Sequence, residues 1–177
     1  MNERRAWFER QFSFDLPVWM YGKVVERLRG TPARLEDRLL KLPREVLTRR
    51  EGDDWSIQEQ AGHLLDLGAL DLGRLDDYAA ALERLRPADL GNRKTHEANH
   101  NARGCEELLA EFRAERARFV RLLEEFDEET AARSALHPRL DKQMRVVDFA
   151  FFVAEHDDHH LAAISRLIKQ FGREDGG

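Results

Sequence analysis

The strongest constraint on this chain is an apolar stripe near its C-terminal end. Phe149, Val153, His156, His160, Ile164, Leu167 and Phe171 recur at steps of three and four, the spacing with which an α-helix turns one face to a core. Two of these positions are histidines. Residues four apart on a helix differ by only ~40° around the axis and ~6 Å along it, so one ion can reach both imidazoles. Burying a polar group without a partner costs on the order of 1–3 kcal/mol. Either protein groups in the core or at its rim satisfy these rings, or a metal ion satisfies both at once.

A third histidine bears on that choice. In Asp54-Trp55-Ser56-Ile57-Gln58-Glu59-Gln60-Ala61-Gly62-His63, Ser56 and Glu59 have the spacing of a capping box that opens a helix. His63 then lies two turns in, on or beside the face carrying Gln60, Leu64 and Leu67. Three imidazoles from two helices leave metal positions open to water or substrate, as in a catalytic rather than a structural site. Glu59, one turn before His63, is read first as the cap partner and second as a proton acceptor or imidazole partner. Asp157 and Asp158 are expected to face a neighbouring helix or solvent, with orientation of an imidazole as the alternative. His159 is rotated about 60° from His156 by the same helical arithmetic and is a candidate for the cavity wall.

The remaining sequence reads as helices separated by short breaks. Asp15 and Pro17 open a segment with Val18, Tyr21, Val24, Val25 and Leu28; Gly30-Thr31-Pro32 interrupts it, and Leu35 to Leu42 continue it to Pro43. A second long helix is expected from Ser56 to about Leu85, a third from Glu106 to Phe126 with Arg116 inside its apolar stripe, and a fourth from Val146 to about Phe171. Asp89 to Arg103 reads as a polar loop or crossover. His96 and His100 within it are also four apart, but no apolar stripe surrounds them, so they are expected to be solvated. His137-Pro138 marks a turn, no strand alternation runs beyond a few residues, and Gly172 to Gly177 is expected to fray.

These segments predict an all-α fold, a four-helix bundle forming one domain over residues 1–177; 177 residues with 42% hydrophobic content suffice for one core. Bundles build metal sites from side chains on facing helices. A ferritin-like di-iron centre is excluded, because Glu155 is followed three residues later by Asp158 and Glu59 by Gly62, where a histidine is required. Net charge is -5, with basic and acidic residues interspersed, which gives nucleic acid no electrostatic footprint. Met1-Asn2-Glu3-Arg4-Arg5 is not followed by a signal-peptide core, and no apolar run approaches ~18 residues, so no membrane association and a cytoplasmic location are expected. Cys105 stands alone and reads as a packing residue at a helix start rather than a nucleophile.

Trp55-Ser56-Ile57-x-Glu59-x-x-x-His63, followed far along the chain by Phe152-Val153-Ala154-Glu155-His156-Asp157-Asp158-His159-His160-Leu161, resembles the DinB/YfiT-like superfamily over most of the chain. The resemblance implies a bundle of up-down-down-up type, often a homodimer, that holds one divalent ion at one end through three histidines. Carried over residue by residue, these are His63, His156 and His160. It also implies small-molecule chemistry of one of two kinds: S-transfer from a low-molecular-weight thiol, or hydrolysis of an amide or ester by activated water. Zinc or nickel is expected first, with iron, manganese and copper also compatible with imidazole ligands. A non-catalytic helical interaction protein, its histidines merely packed, is the alternative of another class. Trp7, Phe8, Phe12, Phe14 and Trp19 either cap the bundle or form a dimer face.

Overall fold

Proline and glycine decide where the helices break. In the computed structural model, which describes residues 6–174 and side chains up to 171, the first segment is two helices, α1 (Tyr21–Arg29) and α2 (Thr31–Leu39). Pro32 cannot donate to the ladder of α1 yet suits the first turn of α2. A short α3 (Arg44–Thr48) follows Pro43. The second expected helix is also broken: α4 (Ile57–Asp66) ends at Leu67 and α5 (Gly68–Ala79) restarts at once. Its expected extension to Leu85 does not form. Ala81 turns into the left-handed region at φ 53°, and the chain runs on beside a hairpin, with Leu85 N–H donating to the Leu136 carbonyl at 3.0 Å.

That hairpin replaces the turn expected at His137-Pro138. Strands β1 (Ser134–His137) and β2 (Lys142–Arg145) pair antiparallel, Ser134 opposite Arg145 and His137 opposite Lys142. Four-residue strands are too short to show an alternating pattern in sequence, although Ala135, His137 and Met144 do point inward. α6 (Arg93–Glu97) lies in the crossover, α7 (Cys105–Glu125) and a short α8 (Glu128–Ala131) precede the hairpin, and α9 (Val146–Glu174) closes the fold. Gly172, expected to begin a frayed end, lies within α9; residues 175–177 and the charged start Met1–Arg5 fall outside the described residues. None of the described helices is long and apolar enough to cross a membrane.

Contacts along the helices give their directions. Leu64 shares a cluster with Leu108 and Phe112, and Leu75 and Tyr78 share the other with Phe119 and Leu123, so α4–α5 and α7 run parallel. The Tyr21 hydroxyl donates to the Leu123 carbonyl at 2.8 Å, whereas Arg113 reaches Glu36, so α1–α2 runs antiparallel to α7. Arg27 meets Asp158 and Arg38 meets Ser165, so α1–α2 and α9 run parallel. The bundle is therefore up-down-down-up. Parallel neighbours cannot be joined by a tight turn, and residues 80–104 carry the chain back along the bundle before α7 begins.

The apolar core is in two parts. Val24, Leu28, Leu75, Phe119 and Phe149 belong to one, Leu35, Ile57, Phe112, Ile164 and Leu167 to the other. Between them lies a buried polar layer. Arg116, set between Phe112 and Phe119 on α7, grips both oxygens of Asp157 on α9, Nη2 to Oδ1 at 2.9 Å, and the Thr31 hydroxyl donates to Oδ2 at 2.8 Å. All three residues are at most 5% exposed. Asp157 therefore faces α7 and α2 and does not orient an imidazole. Its neighbours face outward: Asp158 binds Arg27 and Arg34, and Glu155 binds Arg27 and Arg10. Removing one partner of a buried ion pair strands the other, at about 3–5 kcal/mol, whereas partly exposed pairs contribute up to about 1 kcal/mol. Urea denaturation should accordingly show Asp157→Ala losing about 3–5 kcal/mol and Asp158→Ala about 1 kcal/mol or less.

Candidate metal centre

α4 carries His63, and α9 carries His156 and His160 one turn apart; the structure brings all three rings together. One nitrogen from each lies within 4.8 Å of the other two. Ring centroids stand 4.5 Å apart for His156–His160, 4.9 Å for His63–His160 and 5.3 Å for His63–His156. The Nε2 atoms of His156 and His160 are 3.1 Å apart. Tetrahedral zinc with bonds near 2.0–2.1 Å needs nitrogens roughly 3.3 Å apart, so the donor set fits a single ion.

A hydrogen bond fixes the tautomer of His160. Nδ1 of His160 lies 2.6 Å from Oε1 of Gln60; an amide oxygen only accepts, so Nδ1 carries the hydrogen and Nε2 presents a lone pair. Nδ1 of His63 lies 3.0 Å from Oγ1 of Thr95, which holds that ring as Gln60 holds His160. With its hydrogen on Nδ1, shared with the Thr95 oxygen, His63 would likewise present a lone pair at Nε2, and such rings suit a cation. Burial supplies the remaining requirement, a neutral ring: it lowers the pKa of His63 to about 4 and that of His156 well below the usual histidine value.

The crossover provides this support, against the expectation of a solvated segment. His100 is 2% exposed and its Nε2 lies 2.8 Å from Asp66. Its ring rests on Gly62, where a Cβ would stand 2.3 Å from Cγ of His100, so only glycine permits the contact. A glycine on the inner face of α4 and an aspartate one turn later were the sequence signals for it. His96, by contrast, is exposed as expected, with its ring beside Trp55 at 5.6 Å. Glu59 completes the capping box, accepting from Ser56 N–H at 2.9 Å, and pairs with Arg50. Burial alone would raise its pKa, but Arg50 and Ser56 hold it below the usual carboxylate range, and it does not line the cavity described next. Cys105 opens α7 half-buried, and burial raises its thiol pKa, in keeping with packing.

Between α4–α5 and α9, the imidazoles form part of the wall of a cavity of about 380 Å³. His159 lines it, edge-on to His160 at 5.3 Å. Trp7 covers it from the N-terminal segment, its ring 4.7 Å from His156 and 5.0 Å from Phe152, and Arg10 ties that segment to Glu155 at 2.5 Å. Of the N-terminal aromatics, Trp7, Phe12 and Phe14 thus pack on Phe152 as a cap, whereas Phe8 and Trp19 are 56% and 71% exposed. The wall also contains Asp71, Arg74, His137 and Arg139, none of them expected at the site from sequence. Asp71 and Arg74 lie two and three turns beyond His63 on the same face, a spacing that could have found them; the hairpin residues carry no such signal.

The sign of the pH response follows from the buried histidines. In metal-free protein the folded state holds His63 with a pKa of about 4 and His137 with a pKa of about 3, both lowered by burial. The unfolded chain binds these protons near pH 6.5, so stability falls as pH drops through that value. Each pH unit between the unfolded and folded pKa of a group is worth ~1.4 kcal/mol. Chelator-treated protein should therefore lose at least about 3 kcal/mol between pH 7 and pH 4 in urea titrations at fixed temperature.

Comparison with known proteins bears on the fold and the family. No curated protein sequence matches the chain. Among solved structures, YfiT from Bacillus subtilis, described as a probable metal-dependent hydrolase with an unusual four-helix bundle topology, superposes with a TM-score of 0.77 at 19% identity, covering 93% of this chain and 94% of that one. The mycothiol-dependent maleylpyruvate isomerase superposes with a TM-score of 0.65 at 13% identity, covering 86% of this chain and 62% of that one. At such identities the likeness is one of fold. The DinB superfamily model matches residues 27–164, from α1 to α9 and through all three histidines, and the chain belongs to that superfamily.

Proposed function

We propose that this protein is a metal-dependent enzyme acting on a small molecule, with His63, His156 and His160 holding one divalent ion, zinc or nickel. The observation that carries this reading is the convergence of the three imidazoles on the cavity, with Nδ1 of His63 and of His160 held by Thr95 and Gln60. A divalent ion held by these three neutral imidazoles would supply Lewis acidity and lower the pKa of a thiol or water bound to it. Gln60 and Thr95 orient the rings. Trp7 and Trp55 pack against them and exclude bulk water.

In the preferred chemistry a low-molecular-weight thiol gives its proton to solvent, and its sulfur forms a bond to an electrophilic carbon of the second substrate. The bond from that carbon to its leaving group breaks, the leaving group departing with the electron pair and taking a proton from solvent. A thiol-dependent isomerase among the structures of similar fold supports it. Hydrolysis of an amide or ester is the second reading, favoured by YfiT. Further parts of the proposal are a single domain, a cytoplasmic setting and a homodimer formed through the exposed face at Trp19.

Elemental analysis of untagged protein should find close to one divalent ion per chain, and His63→Ala, His156→Ala and His160→Ala should each reduce it at least tenfold. A wild-type protein that holds no metal even after reconstitution overturns the reading. With metal bound, turnover of electrophilic substrates only when thiol is added supports transfer, and ester or amide turnover without thiol supports hydrolysis. Sedimentation should show a dimer that Trp19→Ala weakens.

A further inference from the structure

On one wall of the cavity, hydrogen-bond donors stand without acceptors. Arg74 on α5 is 3% exposed; its Nε donates to the Arg86 carbonyl at 3.2 Å, and its Nη2 has no partner among the described residues. His137, at the end of β1, is 2% exposed. Its Nδ1 accepts from Leu140 N–H at 3.3 Å, so in the neutral ring the hydrogen is on Nε2, and that buried Nε2–H also lacks a partner among the described residues. Arg139, in the turn of the hairpin, has neither an ion pair nor a hydrogen bond from its side chain among the described residues. Its guanidinium lies instead over Phe8 at 5.1 Å and Phe152 at 5.9 Å.

The three groups line one cavity. The His137 ring and the Arg139 guanidinium both stand against Phe152, at 5.5 Å and 5.9 Å, and Arg74 binds the carbonyl of Arg86, next to the Leu85–Leu136 hydrogen bond that ties this segment to the hairpin. Buried donors in native proteins nearly always have acceptors, and two cations facing one cavity call for an anion. Arg139, its guanidinium within 5.9 Å of the centres of the Phe8 and Phe152 rings, offers the planar fork that matches a carboxylate.

We propose that Arg74, His137 and Arg139 form a carboxylate-binding subsite, and that the substrate is a small carboxylic acid whose acid group docks there while its reacting atom faces His63, His156 and His160. This rests on the reading of the cavity as a substrate site. The acids on the cavity wall do not oppose it. Asp54 and Asp89 are exposed, and Asp89 accepts from Gly91 and Arg93 N–H at 3.0 Å each. Burial raises the carboxyl pKa of Asp71 to about 7, against the pull of Arg116 and Arg74, so near neutral pH it is partly protonated and offers an O–H that a carboxylate can accept. Arg166, the other cation on the wall, is engaged by Glu51 at 2.8 Å.

Chelator-treated protein titrated with benzoate and with the uncharged benzamide, followed by calorimetry or NMR, tests the subsite without any metal. Benzoate should bind at least tenfold tighter than benzamide. Arg139→Gln, with helical content checked by circular dichroism, should weaken benzoate at least tenfold, and Arg139→Lys should retain part of the affinity. Arg113→Gln, which removes a guanidinium paired with Glu36 away from the cavity, should change it by less than twofold. Equal binding of benzoate and benzamide by the wild type, or benzoate affinity unchanged in Arg139→Gln, overturns the proposal. Titrating 3-mercaptopropionate alongside locates the carboxylate: tighter binding of the sulfur acid assigns it to the thiol, tighter binding of benzoate to the other substrate, and both results uphold the subsite. A protein that selects benzoate but never retains metal refutes the enzyme reading and leaves the subsite standing.

Discussion

The ion pair between Arg116 and Asp157, with Thr31 as a third partner, fixes the geometry on which the site depends. Apolar stripes tolerate sliding and rotation because one methyl replaces another at little cost. A buried carboxylate between two donors does not, since any slip leaves charges unpaired in the core. Asp157 follows His156 in sequence and is rotated by about 100° from it on the helix. Holding Asp157 against α7 and α2 therefore turns His156 and His160 toward α4, where His63 meets them. The layer lies between the two apolar clusters and sets the register of α9 against both.

The supporting hydrogen bonds come from less regular parts of the chain. Thr95 and His100 lie in the crossover that the up-down-down-up order requires. A segment needed to return the chain along the bundle thus also orients His63 through its Nδ1. Gly62 permits this by letting the His100 ring lie on the backbone of α4. One requirement of topology and one of chemistry are met by the same residues.

Helical periodicity carries the part of the site that was legible in the sequence. His63, His156 and His160 are visible because each interrupts or flanks an apolar stripe, and the capping box at Ser56 and Glu59 fixes where the helix bearing His63 begins. Arg116 stood in its stripe as an anomaly whose partner, Asp157, lies 41 residues away, a pairing that local pattern does not encode. The break at Leu67 is hidden because the apolar spacing runs through it. The hairpin is hidden because its strands have four residues each. His100 looked solvated because its burial depends on Gly62 and Asp66 of another element, and His137 and Arg139 reach the cavity only through the docking of the hairpin.

The cavity wall has two origins. Its histidines sit on α4 and α9, whose positions are locked by the cores and by the polar layer, while His137, Arg139, Trp7 and Phe8 come from the hairpin and the N-terminal segment laid over the bundle. Substitution, insertion or exchange in those overlying pieces alters what meets a ligand while the histidine-bearing helices stay in place. The bundle thus serves as a chassis and the hairpin as a fitting mounted on it, so what the site accepts can be altered without moving the histidines.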